Sequence, residues 1–251
     1  MVRFSAAMKK AASTPARRPL YEQIKILLTN SLVAGEWKPG EAIPSEMELA
    51  ERYRVSQGTV RKAVEELAAE AILTRRQGKG TFVASHSEPS YQYRFLRMQP
   101  DAGERVHPVN LFFGLERGHA DAQVARELRL GAGAVAVSFK RVMSFGGRPV
   151  VLDEIAFDAG RFPGFTLAEL EEFHGSVYSF YETVFGVRMI RAEERLRAVP
   201  ADSVAAAHLK VDPGTSLLQV DRVAYTYGDK PVEWRRGLCV TSGYSYFNEL
   251  N

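Results

Sequence analysis

A run of long polar and cationic side chains between residues 56 and 81 has the types and spacing to do chemistry. Ser56-Gln57-Gly58-Thr59-Val60-Arg61-Lys62 sets Gln57, Thr59, Arg61 and Lys62 behind a serine, and Arg75-Arg76-Gln77-Gly78-Lys79-Gly80-Thr81 gathers three cations around two glycines. Gln and Arg can make paired hydrogen bonds to adenine and guanine edges, while Lys and Arg neutralise phosphates. Elsewhere the reactive residue types stand alone. The single cysteine, Cys239, excludes a disulfide framework and a multi-thiolate zinc site. The histidines (His86, His107, His119, His174, His208) show neither HxxxH nor HExxH spacing. No metal or cofactor is expected.

Those side chains need elements to position them. Leu20, Ile24, Leu27, Leu28 and Leu32 fall at helical spacing before Gly35 and predict a first helix with an apolar stripe. Ser45-Glu46-Met47-Glu48 has the spacing of a capping box and opens a second helix with Leu49, Ala50 and Tyr53 turned inward. Ser56 can cap a third, whose Val60, Ala63, Val64 and Leu67 face a core and leave Gln57, Thr59, Arg61 and Lys62 outside. Two short capped helices joined by a tight turn make a helix-turn-helix. Ile72 to Arg76 and Thr81 to Val83 then read as two short strands around a basic, glycine-rich tip, a wing. The charge follows the same division. Residues 1 to 84 hold 14 Lys and Arg against 9 Asp and Glu, and residues 85 to 251 hold 19 against 21, which places a polyanion-facing module at the N-terminal end.

The stretch from Pro19 to Ala84, PLYEQI and then PGEAIPSEMELAERYRVSQGTVRKAVEELAAEAILTRRQGKGTFVA, resembles the winged helix-turn-helix of the GntR family of bacterial transcription regulators. The resemblance implies DNA contacts from Ser45 to a backbone phosphate, from Thr59 and Arg61 on the third helix, and from Gln77, Gly78, Lys79 and Thr81 in the wing. Side-chain chemistry adds Gln57 beside Arg61 as a base reader and gives phosphates to Lys62, Arg75, Arg76 and Lys79. Gly78 and Gly80 would let the wing tip approach a minor groove. Met47 and Gln57 stand where the family often has Arg, and Arg54 and Ala71 stand where it has Gly. The lost glycines cost about 1 kcal/mol each if those positions need positive φ.

Residues 85 to 105 are polar, contain Pro, and carry Tyr91, Tyr93 and Phe95, so they read as a linker that packs in places. Beyond them, strand-like runs (108–115, 135–143, 149–157, 188–199, 217–225, 231–240) alternate with helical stretches (120–128, 166–173, 176–184, 202–209). Gly146-Gly147 and Gly228-Asp229 are hairpin signals. Long antiparallel hairpins with helices between them predict an α+β domain around a mainly antiparallel sheet. The pieces GGRPVVLDEIAFDAGRFPGF, GSVYSFYE, RAEERLRAV and VDPGTSLLQVDRVAYTYGDKPVEWRR resemble the UTRA effector-binding domain of the HutC subfamily, similar to chorismate lyase in fold. The expected organisation is a basic arm (1–18), a winged helix-turn-helix DNA-binding domain (19–84), a linker (85–105) and a UTRA effector-binding and dimerisation domain (106–251).

That resemblance implies a small effector between the sheet and the helix opened by Gly175-Ser176, with Arg141, Asp153, Ser176 and Glu233 as candidate contacts by position. Free amides at a helix N-terminus and an arginine clamp suit a small anionic or zwitterionic metabolite; Asp153 and Glu233 would hold its amine or hydroxyls. Met143 and Cys239 stand where amino-sugar-phosphate binders of the family place Arg and Tyr. The implied function is transcription regulation: a metabolite-responsive repressor, cytoplasmic, that binds a pseudo-palindromic double-stranded DNA operator as a homodimer. No apolar run reaches the roughly 18 residues a membrane helix needs, so no membrane partner is expected. Two readings of other classes stay open. A cofactor-free lyase or hydrolase would need an acid/base constellation where only isolated Asp153, Glu233 and His174 stand, and an architectural DNA-binding protein would use its second domain only to dimerise.

Overall fold

The computed structural model describes residues 18–88, 94–103 and 107–248. Its first part comprises α1 (Leu20–Val33), α2 (Glu46–Tyr53), α3 (Gln57–Ala69) and the hairpin β1 (Leu73–Arg76) with β2 (Gly80–Val83). Ile24, Leu28 and Leu32 of α1 close on Leu49 of α2 and on Val60, Ala63, Val64 and Leu67 of α3. Leu20 and Leu27, which the stripe included, are instead 50% and 44% exposed. Leu27 sits about 100° around the helix from Leu28 and so falls outside the buried face, and Leu20 lies at the helix start. Arg54 and Ala71 do adopt positive φ, at 53° and 54°, which is the left-handed conformation that glycine accepts without a Cβ clash.

The second part runs β3 (Met98–Pro100), β4 (Val109–His119), α4 (Ala122–Glu127), β5 (Val135–Phe145), β6 (Arg148–Asp158), α5 (Leu167–Glu172), α6 (Val177–Phe185), β7 (Arg191–Pro200), α7 (Ser203–Leu209), β8 (Ser216–Thr226), β9 (Lys230–Val240) and β10 (Tyr244–Tyr246). Six of these strands form one antiparallel sheet in the order β4-β5-β6-β9-β8-β7. It is built twice over from one unit, strand, short helix, strand, strand. Asp121 and Asp202 cap the two short helices α4 and α7. Arg129 and Lys210 follow in the left-handed region, and Gly146-Gly147 and Gly228-Asp229 turn the two hairpins with positive φ throughout. The halves join between β6 and β9, where Asp153 faces Gly237 across the ladder and Ile155 faces Arg235.

Strand periodicity sends alternate side chains to opposite faces, and each face has its own cover. Val137, Phe139, Ile155 and Phe157 pack under α5 and α6. On the reverse side Ala156, Val223 and Trp234 pack under α4, and Val142, Leu152 and Leu217 under α7. β3 falls in the stretch read as a linker, yet it pairs with β10. Three residues ending in Pro carry no period from which a strand can be read.

Candidate nucleic-acid interface and effector pocket

The helix-turn-helix is set by two serine caps. Ser45 Oγ accepts the Glu48 amide at 3.3 Å while the Ser45 amide donates to Glu48 Oε2 at 2.8 Å, which completes the capping box. Ser56 Oγ accepts the Thr59 amide at 3.2 Å and shares a hydrogen bond with the Thr59 hydroxyl at 2.9 Å. With its apolar face buried, α3 leaves Gln57, Arg61 and Lys62 exposed. Glu46, at the start of α2, organises the cations: Arg61 Nε donates to its Oε2 at 3.0 Å and an Arg75 guanidinium nitrogen to its Oε1 at 2.8 Å. Lys62 Nζ sits over the Tyr21 ring at 3.8 Å. Arg76 lies over Phe82 at 4.2 Å and pairs with Glu88 at 3.0 Å. At the wing tip Gly78 and Gly80 have φ of 71° and 108°, and Gln77, Gly78, Lys79 and Gly80 are all exposed.

The second site is a cavity of about 100 Å³ bounded by Arg141, Met143, Arg222 and Arg235 on the sheet, by Gly175 to Tyr178 at the start of α6, by Pro108 and Asn110, and by Phe95 and Leu96 above. A smaller lobe of about 50 Å³ continues past Asp153, Gly237 and Cys239. Its three guanidiniums are buried and each has a carboxylate. Arg141 Nε donates to Asp153 Oδ2 at 3.0 Å. Arg235 forks onto Glu233 with two bonds of 3.1 Å, and Arg222 Nε donates to Glu194 Oε1 at 2.6 Å. Burial pulls the Arg141 guanidinium below its usual value despite Asp153. Burial also pushes the Asp153 carboxyl up, but Arg141 and Arg235 outweigh it and hold the group below the ordinary carboxylate range. Tyr178, buried and bonded through its hydroxyl to Glu233 at 2.9 Å, is pushed up to about 12, by burial first and by Glu233 second. Gly237 makes the close approach possible, since a Cβ there would lie 2.8 Å from Asp153 Oδ1. The Asn110 side-chain oxygen is buried with no hydrogen-bond partner among the described residues, and an orphan acceptor in a polar cavity invites a donor.

Residues 20–83 match the model of the bacterial regulatory proteins, gntR family, and residues 104–245 match the UTRA domain. The chain belongs to the GntR family, with a UTRA domain. The transcriptional regulator YurK of Bacillus subtilis (strain 168) is 28% identical to this regulator over 219 residues, covering 85% of this chain and 88% of that one. The protein named "Probable fructoselysine utilization operon transcriptional repressor" of Escherichia coli (strain K12) is 26% identical over 234 residues, covering 88% and 90%. The crystal structure of a ligand-binding domain assigned to the GntR family, from Bordetella bronchiseptica, superposes with a TM-score of 0.61 at 44% identity, over 64% of this chain and 99% of that one. The family and these relatives are DNA-binding transcriptional regulators, not enzymes.

Of the four effector candidates in the regulator, Arg141, Asp153 and Ser176 border the cavity or its smaller lobe. Glu233 stands behind the wall, fully buried, with its carboxylate taken up by Arg235 and Tyr178. Ser176 caps α6 by accepting the Ser179 amide at 3.1 Å. Sequence reasoning missed Asn110, Arg222, Arg235 and Gly237. Arg222 was legible in principle, as an arginine at an inward position of an apolar strand, facing Arg235 across the ladder as Arg141 faces Asp153 in the first half. Tyr91 and Tyr93 lie outside the described residues, whereas Phe95 packs edge-on to Tyr178 at 5.3 Å, and its carbonyl accepts from Arg222 at 2.7 Å. Among the described residues no helix is long and apolar enough to cross a membrane.

Proposed function

We propose that this regulator is a metabolite-responsive repressor that binds a pseudo-palindromic operator as a homodimer, with residues 19–84 reading DNA and residues 106–251 binding the effector and dimerising. In this reading Arg61 and Gln57 address base edges. Ser45, Thr59, Lys62, Arg75, Arg76 and Lys79 address phosphates, and the wing residues Gln77, Gly78, Gly80 and Thr81 follow the adjacent groove. One winged module reads only a few base pairs, so a two-fold dimer supplies the specificity a promoter demands. The effector is a small anion or zwitterion whose charged end meets the first turn of α6 and the spare guanidinium hydrogens of Arg141 and Arg222, and whose hydroxyl or amine donates to Asn110.

One observation carries this reading: the cavity of about 100 Å³ that joins three buried arginines to the capped start of α6. Each of those arginines already has a carboxylate, so a ligand beside Phe95, Leu96 and Met143 would add to the pairs through the guanidinium hydrogens they leave over. The test combines two measurements on the full chain. DNA selected from a random library is expected to converge on an inverted repeat, and a thermal-shift screen of carboxylated and phosphorylated metabolites is expected to yield a compound that also changes operator binding. Convergence on a single non-repeated site would defeat the dimer arrangement, and a screen in which only neutral compounds stabilise the chain would defeat the anion assignment.

A further inference from the structure

We propose that Glu182 and Arg188 form a buried latch that fixes the DNA-binding module against the α+β domain, and that α6 carries occupancy of the cavity to that latch. The second half rests on the anion reading of the cavity given above.

Arg188 lies just past α6, after Gly186 closes the helix in the left-handed conformation with φ 66°. Its guanidinium crosses to the other domain and donates to the carbonyls of Ala71 at 2.9 Å and Ile72 at 3.0 Å, and to the Tyr227 hydroxyl at 3.0 Å. Ala71 and Ile72 link α3 to β1, so one cation holds the point where recognition helix becomes wing. It also stands at the C-terminal end of α3, where unpaired carbonyls and the helix dipole favour positive charge.

The carboxylate that orients Arg188 grips the same module from the other side. Glu182 Oε2 lies 3.4 Å from Arg188 Nε. Its Oε1 accepts from the Ser85 hydroxyl and, at 3.0 Å, from the His86 amide, the chain that leaves the module after β2. Glu182 and Arg188 are 6% and 4% exposed. Burying an ion pair stabilises a fold less than apolar packing of the same volume would. What the pair supplies is direction: the two groups meet as an ion contact, and the hydrogen bonds each makes separately, Arg188 to Ala71 and Ile72 and Glu182 to Ser85 and His86, accept one relative placement of the two domains. Among the described residues, only Ile190 and Tyr227 of the second part pack against the apolar cluster of the winged module, and small interdomain contacts leave domain motion as the default.

The opposite end of α6 borders the cavity through Ser176, Val177 and Tyr178. The helix is nine residues long, about 13 Å, and rigid secondary elements are one of the routes by which coupling travels between sites. An anion seated at its first turn therefore biases where Glu182 holds Arg188.

The test is a distance measurement between spin labels on the full chain, at Glu65→Cys on α3 and Glu171→Cys on α5, with labelled protein diluted in unlabelled. The native Cys239 is 2% exposed and its thiol is pushed up by burial, so it does not compete for label. A single narrow distance is expected with the latch intact. Arg188→Lys, and the double variant Glu182→Gln with Arg188→Met that leaves no orphan charge, should broaden it about two-fold or more. A folded double variant that keeps the narrow distance overturns the latch. Inorganic phosphate is then the probe anion. A shift in the latched chain that is lost in the double variant, and lost in Arg222→Ala, supports transmission through α6. An equal shift in latched and double-variant chains overturns it. No shift in the latched chain although calorimetry shows phosphate bound overturns transmission through α6; no phosphate bound to the chain at all, with the double variant still broadened, counts against the anion reading of the cavity and leaves the latch standing.

Discussion

On α3 the Arg61 guanidinium meets Glu46 with 53% of its side chain exposed, whereas Arg141 and Asp153 meet in the sheet at 6% and 5%. The same two chemical groups serve opposite ends. An exposed pair contributes little, about 0 to 1 kcal/mol, because water and salt screen it, so a DNA phosphate or base can replace Glu46 as the partner of Arg61 at small cost. The buried pair cannot be exchanged that way, since either partner left alone would be a charge stranded in a low-dielectric interior. A ligand there must add to the existing pairs and not displace them. The exposed charges of α3 are open to exchange, and the buried cavity charges are arranged to keep its shape.

The largest effect expected from that contrast is on stability. Arg141→Ala should lower the unfolding free energy by about 3 kcal/mol, because buried Asp153 loses its hydrogen-bonded partner and keeps only Arg235 at 3.6 Å, while Arg61→Ala should change it by no more than about 1 kcal/mol; urea melts of the two variants decide it, and equal losses would erase the distinction. Next comes DNA binding. Arg61→Ala should cost about 1 to 3 kcal/mol on a selected operator and relax one position of each half-site, while Lys79→Ala should weaken all duplexes alike and reduce the salt slope by about one. Anisotropy titrations on selected and random duplexes at several salt concentrations separate the two, and equal loss on both duplexes for Arg61→Ala would take it out of base readout.

A smaller effect concerns the backbone. Arg54 sits at φ 53°, so Arg54→Gly should stabilise the winged module by about 1 kcal/mol in chemical denaturation. A loss of stability would mean that the Arg54 side chain contributes more than its strain costs. The smallest effect is a pH slope. Burial pushes the Glu182 carboxyl up, against Ser85, Arg188 and the His86 amide, with Glu88 adding to the rise. The folded chain then holds this proton where the unfolded chain has lost it, so Glu182 makes stability fall as pH rises from about 4.3 through the raised folded value. Glu182→Gln should flatten the stability profile in that window, and an unchanged slope in paired thermal melts would show that the carboxyl titrates normally.

The winged module was legible almost residue by residue. Its caps, Ser45 and Ser56, and its core positions Val60, Ala63, Val64 and Leu67 stand where local spacing put them, because capping and helical period act over three or four residues. The six long strands and four helices of the second part were legible for the same reason. The cavity was legible only in part. Arg141, Asp153 and Ser176 border it, but Glu233 turned out to serve Arg235 and Tyr178. Arg222 and Arg235 reach the cavity from the two strands of one hairpin, β8 and β9, and Asn110 reaches it from β4, far earlier in the chain.

The sequence by itself determined this protein's elements, its family and the exposed basic face of its winged module, since each is written in short-range pattern. Which charges pair was decided only by the tertiary structure. The ladder joining β6 to β9 brings Asp153 under Gly237 and within 3.6 Å of Arg235, and the packing of the two domains brings Arg188 onto the carbonyls of Ala71 and Ile72. Pairings between residues that distant follow from register and from the burial of charge, and neither leaves a mark on local sequence.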